Sequence, residues 1–224
     1  MAKSRDTIYF CTECGYETAK WAGQCPACHN WNTLTPGLAS RPSVQGTRRG
    51  ISSLPDPGSR QVKPSTISDI DIVDDERTVT GIEEFDRVLG GGVVKGALIL
   101  VGGDPGIGKS TLLTQVCKVL SDKGIRVLYV SGEESLRQIK LRAERIGSFT
   151  DSMKLLSETD IDVIEKALPV VDPQVLVIDS IQTMYRNDVS AAPGSIGQVR
   201  ECTNVLMQWA KVLNIAVFVV GHVT

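Results

Sequence analysis

The sequence has no apolar run long enough to span a bilayer. Its first residues, MAKSRDTIYF, hold neither a hydrophobic leader core nor a small-residue cleavage site. Both absences argue against a membrane and for the cytoplasm, where thiols stay reduced and closely paired cysteines more often hold metal than form disulfides. A charge surplus is also lacking: 24 Lys and Arg against 26 Asp and Glu leave a formal net charge of −2. No global field therefore recruits nucleic acid, and any such contact must rest on a local patch. An internal repeat is missing too, which argues against a solenoid. What is there, 42% apolar and 22% charged residues over 224 positions, describes an ordinary globular protein with one sizeable core and room for a small accessory module.

Composition divides the chain in three. Residues 1–35 carry four of the six cysteines. Residues 36–65 are rich in Pro, Ser, Gly and Arg and have no hydrophobic periodicity, so a flexible tether is expected, whose Arg41, Arg48, Arg49, Arg60 and Lys63 need no role beyond solvation. From residue 66 to 224 short apolar runs alternate with helical spacing. Thr80 and Glu83 have the spacing of a capping box, with Ile82, Phe85 and Leu89 on one helix face before the stop at Gly90–Gly92. Strands are expected at 97–103, 125–130, 154–157, 175–179 and 215–221. Helices are expected at 110–123, over the stripe Leu136, Ile139, Ala143 and Ile146, from a cap at Asp160 through Leu168, and from a Ser195–Gln198 capping box along Val199, Cys202, Leu206, Trp209 and Leu213. Such alternation predicts an α/β fold, an open parallel sheet covered by helices on both faces. Cys117 and Cys202 fall on apolar stripes and read as small buried hydrophobes.

One motif carries phosphate chemistry. Gly103-Asp104-Pro105-Gly106-Ile107-Gly108-Lys109-Ser110 fits G-x-x-x-x-G-K-[ST], with an apolar strand before it and a helix after it. Glycines let the backbone wrap phosphates with its N–H groups turned inward, and the helix dipole adds positive potential. Lys109 is expected at the β- and γ-phosphates of ATP, Ser110 on Mg²⁺, and Thr111 at the α-phosphate. A ligand-free glycine turn would not require strand, loop, Lys-Ser and helix to agree. Asp179 ends the strand VLVID, where a magnesium-orienting carboxylate belongs; the plainer alternative is an acid capping a strand end. Glu133 and Glu134 follow the strand ending at Val130 and would reach the same edge of the sheet. Glu133 is the favoured acceptor for the attacking water, with Glu134 as its surface neighbour. His222 ends the last strand near that edge and is a candidate γ-phosphate sensor, against the simpler reading of a locally bonded imidazole.

Cys11, Cys14, Cys25 and Cys28 read C-x2-C-x10-C-x2-C, two pairs able to place four thiolates around one Zn²⁺. Cys25-Pro26-Ala27-Cys28-His29 also fits a c-type haem attachment, which the missing export signal and the orphaned first pair argue against. A module of this size cannot hold together on its core alone, so metal would organise it.

Taken together these residues resemble the RadA (Sms) family of bacterial DNA repair proteins, ATPases of the RecA superfamily. The matching features are the cysteine module with Trp21-Ala22-Gly23-Gln24-Cys25-Pro26, the Thr80-Gly81, Asp86 and Leu89–Gly92 approach, GDPGIGKST, YVSGEES at 129–135 and VLVIDSIQT at 175–183. The resemblance implies a zinc ribbon (1–35) joined by a linker (36–65) to a RecA-like ATPase domain (66–224). It implies a DNA-dependent ATPase of homologous recombination that drives translocation and branch migration as a hexameric ring. Its partners would be single-stranded or branched DNA and other recombination proteins. It assigns the water-activating role to Glu133 and makes 186–195 a channel-facing DNA loop with Arg186 as phosphate contact. It also implies the strand order 154–157, 125–130, 175–179, 215–221, 97–103. The family continues with a Lys-Asn-Arg-Phe-Gly motif and a Lon-protease-like domain, so the chain is read as an N-terminal fragment, expected to bind ATP but to turn it over poorly. Two alternatives are an ATP-gated DNA- or partner-binding scaffold without productive turnover, and a KaiC-like ring ATPase, against which the zinc ribbon argues.

Overall fold

The computed structural model describes residues 7–11, 16–18, 20–27, 29–38, 66, 77–189 and 191–222. Cys14, Cys28 and nearly all of the expected tether lie outside these residues. The chain forms two compact units, residues 1–75 and 76–224.

In the first unit, β1 (Thr7–Cys11) pairs antiparallel with β2 (Glu17–Thr18) on one side and β3 (Leu34–Leu38) on the other. Two turns repeat the same backbone bond: the Cys11 N–H donates to the Tyr16 carbonyl at 2.9 Å and the Cys25 N–H to the Asn30 carbonyl at 2.9 Å. Each cysteine thus opens a tight turn closed by the carbonyl five residues on. Cys11 and Cys25 are buried together with Leu34, with Tyr9 and Ala22 packed against them.

The second unit is a five-stranded parallel sheet of β4 (Leu98–Gly103), β5 (Val127–Ser131), β6 (Met153–Ser157), β7 (Val175–Asp179) and β8 (Ala216–His222), in the order β4-β8-β7-β5-β6. That order is the one the family resemblance implied. Alternate residues of the inner strands feed two cores, as the pleat requires. Leu128, Val130, Leu176, Ile178, Val217 and Val219 face α4 (Ile161–Val171) and α5 (Ile196–Leu213). Val127, Tyr129, Val177, Phe218 and Val220 face α2 (Lys109–Asp122), with Phe85 of α1 (Glu83–Val88) packed against them. Helices therefore cover both faces, as expected, and α3 (Leu136–Ile146) lies between β5 and β6 in sequence. Cys117 and Cys202 lie in these cores, and burial pushes their thiols up to about 12 and about 11, which makes both unreactive.

Three helix starts differ from the sequence expectation. The Thr80–Glu83 capping box does not form. The N-cap is Ile82, and it is Asp86 that accepts the Thr80 and Gly81 N–H groups, at 2.8 and 3.2 Å. A full capping box forms instead at Ser135–Gln138, which opens α3. At Ser195–Gln198 only half a box forms: Ser195 accepts the Gln198 N–H, but the Gln198 side chain turns to the preceding loop. There its amide oxygen accepts the Arg186 N–H at 2.9 Å, and its amide nitrogen donates to the carbonyls of Arg186, Val189 and Ala191 at 3.0, 3.1 and 2.9 Å. Helix α4 also runs three residues beyond Leu168, through Pro169 to Val171.

Gln198 is buried and is the clamp of the 186–191 backbone. Gln198→Ala leaves these groups unpaired, so a loss of about 1–3 kcal/mol is expected by urea unfolding. Amide exchange at Arg186 should accelerate.

Candidate functional site

Strand register assembles the site. Gly103 at the end of β4 pairs with His222 at the end of β8, and Ser131 at the end of β5 pairs with Asp179 at the end of β7. All four stand at the carboxyl edge of the sheet, where α/β proteins bind ligands.

The loop from Gly103 to Gly108 runs into α2. Gly106 and Gly108 adopt φ of +79° and +102°, and a Cβ on either would meet no atom within 4 Å. Backbone conformation, not crowding by protein, demands glycine there, and the space beside the loop is open. Lys109 is buried and spends all three ammonium donors on the protein. It donates to the carbonyls of Gly103 and Asp104 at 2.7 and 2.8 Å and to His222 Nδ1 at 3.3 Å. Since an ammonium cannot accept, Nδ1 must be the unprotonated nitrogen of the ring. His222 Nε2–H then donates to Glu133 Oε1 at 3.1 Å, and the buried Ser180 hydroxyl donates to the same oxygen. The imidazole thus bridges the lysine and the carboxylate, one ring nitrogen facing each. The Ser180 hydroxyl, then His222 and the Lys109 charge, hold the Glu133 carboxyl below its ordinary value against the opposing effect of burial.

Glu134 goes elsewhere. Its backbone N–H donates to Ser131 Oγ at 3.0 Å, and its carboxylate pairs with the Arg142 guanidinium of α3. Arg142 also donates to the Tyr129 hydroxyl at 3.2 Å and to Thr114 Oγ1 at 3.3 Å. Tyr129 OH in turn donates to Asp179 Oδ2 at 2.5 Å. Burial and the adjacent Asp179 carboxylate push the Tyr129 phenol far up, so it remains a donor. Gly132 allows the two loops to interlock. Its N–H donates to the Asp179 carbonyl at 2.9 Å, and a Cβ there would lie 2.1 Å from Thr183 Oγ1 and 2.9 Å from Thr159 Cγ2.

The remaining expected residues are distributed as follows. Ser110 is half-buried and Thr111 exposed in the first turn of α2. Asp104, Pro105 and Ile107 are exposed along the loop. Arg186 belongs to neither network: it pairs with Asp188 at 2.9 Å and approaches Asp162 at 3.7 Å. Of the cysteines, Cys11 and Cys25 share one small core, and Cys14 and Cys28 fall outside the described residues. Sequence reasoning missed Ser180, Tyr129 and Arg142. A signal existed for Tyr129, whose hydroxyl in a buried strand needs a partner. Arg142, on a helix among other charged residues, gave none.

Comparison with known proteins gives a family for each unit. The family model described as an AAA domain matches residues 61–224. One described as a rubredoxin metal binding domain matches residues 9–36. DNA repair protein RadA of Bacillus subtilis is 50% identical over 226 residues, that of Halalkalibacterium halodurans 47% over 224, and that of Haemophilus influenzae 45% over 226. Each alignment covers 100% of this chain and 48% of the relative, so the chain spans about half the length of the curated relatives it matches. Among the described residues no helix is long and apolar enough to cross a membrane.

The depressed Glu133 carboxyl has a measurable sign. Its ionised form is favoured in the fold, so its contribution is full above the ordinary glutamate value of 4.5 and is lost as pH falls through the lower folded value. Comparing Glu133→Gln with the parent by urea unfolding across pH should show a stability gap at neutral pH. That gap should close on acidification below about 4.5.

Proposed function

We propose, on the premise that this chain belongs to the AAA domain family and is similar along its whole length to the RadA DNA repair proteins, that it binds and hydrolyses ATP in the service of DNA repair. The observation that carries the proposal is the line Lys109–His222–Glu133 along the carboxyl edge of the sheet, which joins the P-loop cation to the Glu133 carboxylate through the His222 imidazole.

In this reading the loop from Gly103 to Gly108 presents its N–H groups to the phosphates, and Lys109 exchanges the Gly103 and Asp104 carbonyls for β- and γ-phosphate oxygens. Thr111 is available to the α-phosphate. The Ser110 hydroxyl and Asp179 carboxylate are hard oxygen donors of the kind Mg²⁺ takes. When bound there, the ion supplies neutralisation of phosphate charge. Glu133 orients the attacking water and accepts its proton. His222 holds Glu133 and Lys109 in a fixed relation, so it is placed to register whether Lys109 is engaged by phosphate. In this reading Glu134 serves Arg142 instead, with which it pairs.

The cysteine unit fits zinc by its donor set: two thiols buried in one small core, each opening the same tight turn, within a stretch matched by a metal-binding model. Cys11, Cys14, Cys25 and Cys28 would complete a tetrahedral site. We divide the chain accordingly into a zinc ribbon at 1–35, a linker at 36–65 and an ATPase domain from 66 on. Translocation on single-stranded or branched DNA, branch migration, ring assembly and recombination partners belong to the same proposal, as does a cytoplasmic setting. Arg186 would contact a DNA phosphate by exchanging its pairing with Asp188.

Two experiments test this reading. Lys109→Ala should weaken ATP binding at least about tenfold, since charge-assisted bonds are worth about 1.5–3 kcal/mol. Glu133→Gln should bind ATP normally and lose about 10²–10⁴ in hydrolysis, measured with and without single-stranded DNA. A parent that binds ATP without turnover would favour the scaffold alternative. Separately, the purified protein should contain one zinc per chain by elemental analysis. Replacing Cys25 and Cys28 by Ser should abolish it, and retention of metal in that variant would overturn the zinc assignment.

A further inference from the structure

Arg142 joins two elements that the proposed magnesium site needs and that lie far apart in sequence. On one side its Nε donates to Thr114 Oγ1 at 3.3 Å, and the Thr114 hydroxyl donates to the Ser110 carbonyl at 2.6 Å. On the other its Nη2 donates to the Tyr129 hydroxyl at 3.2 Å, which donates to Asp179 Oδ2 at 2.5 Å. Its remaining Nη1 pairs with Glu134. The guanidinium also sits 6.0 Å from the centroid of the Tyr129 ring. Thr114 is fully buried and Asp179 nearly so, while the Arg142 side chain is 15% exposed, so the whole chain of bonds is largely shielded from water.

None of the hydrogen bonds in this chain of bonds is made by the P-loop glycines or by Lys109, His222 or Glu133. Its ends are the backbone of Ser110 and one carboxylate oxygen of Asp179. The guanidinium fork is planar and its donor directions are fixed, so partners on separate elements are held at set positions. A lysine in its place would keep the charge but has a single point of donation on a flexible stem. Tyr129 fixes which oxygen of Asp179 is occupied by protein, and so how the carboxylate is turned.

We propose that Arg142 and Tyr129 are positioning residues that set the placement of Ser110 relative to Asp179 from behind and thereby determine how well the nucleotide site takes a divalent cation. This rests on the reading of Ser110 and Asp179 as the magnesium-binding pair. Neither Arg142 nor Tyr129 touches nucleotide or metal in this scheme. Their effect is confined to the cation-dependent part of nucleotide binding.

The test uses the full 224-residue chain and a fluorescent ATP analogue, titrated once with excess EDTA and once with Mg²⁺, for the parent, Tyr129→Phe and Arg142→Lys. Folding is checked by circular dichroism, and if one variant fails to fold the other carries the same readout. The parent should bind more tightly with Mg²⁺ than with EDTA. Both variants should stay within about twofold of the parent in EDTA and lose at least about fivefold of the Mg²⁺-dependent tightening, the selective loss expected when the groups that hydrogen-bond a metal's ligands are removed. A parent that binds equally with and without Mg²⁺ would overturn the magnesium reading itself. A parent with the tightening and variants that keep it in full would overturn the positioning role alone. Equal weakening in EDTA and Mg²⁺ would also overturn it, because a general structural defect does not select for the cation.

Discussion

The site depends on β8 lying between β4 and β7. The pairing of Gly103 with His222 is a consequence of parallel register along the whole of β4 and β8, from Leu98 opposite Val217 onward. A slip of one residue would reverse the faces of β8, turning Phe218 and Val220 out of the α2 core into the one that holds Val217 and Val219, and moving His222 away from Lys109 at the same time. The apolar alternation that fills the two cores therefore also fixes the relation of imidazole to ammonium. Strand burial and site geometry are specified by the same residues, which is why a polar line can stand at the end of a strand as apolar as AVFVVGH.

Burial at that edge demands that every charge have a partner. Lys109 is satisfied by two loop carbonyls and a ring nitrogen, Asp179 by a phenol, and Glu134 by a guanidinium. A lysine so satisfied does not bind phosphate at no cost. It must give up two good carbonyl bonds, and only an acceptor bearing negative charge offers more in exchange. The closed arrangement thus favours polyanionic phosphates over neutral ligands.

Much of this was legible in the sequence, and unevenly. The P-loop, the five strands and both sides of the helix coverage followed from periodicity and from glycine placement, because those signals act within a few residues. Asp179, Glu133 and His222 could be placed at the carboxyl edge because each ends or follows an apolar strand. The capping boxes were read less well. Thr80–Glu83 and Ser195–Gln198 have the right spacing, but Asp86 and the 186–191 loop compete for the same groups, and those competitors are chosen by tertiary packing. Ser135–Gln138 has the same spacing and does form, the Gln138 side-chain oxygen accepting the Ser135 N–H at 2.9 Å. Arg142 was invisible for a related reason. Its partners come from α2, β5 and the loop after β5, and no local pattern names them.

Consecutive residues on two interlocked loops feed different networks. Glu133 and Ser180 belong to the line from Lys109, whereas their neighbours Glu134 and Asp179 belong to the network around Arg142. The loops are fastened to each other by the Gly132 N–H on the Asp179 carbonyl, at a separation that leaves no room for a side chain at 132. The carboxylates of Glu133 and Asp179 are therefore not positioned independently. A displacement of Asp179 moves Ser180 with it across one peptide unit, and Ser180 holds the oxygen of Glu133 that His222 also holds. The fold thus ties the placement of the Asp179 carboxylate to that of Glu133 by a short route through Ser180 and Gly132.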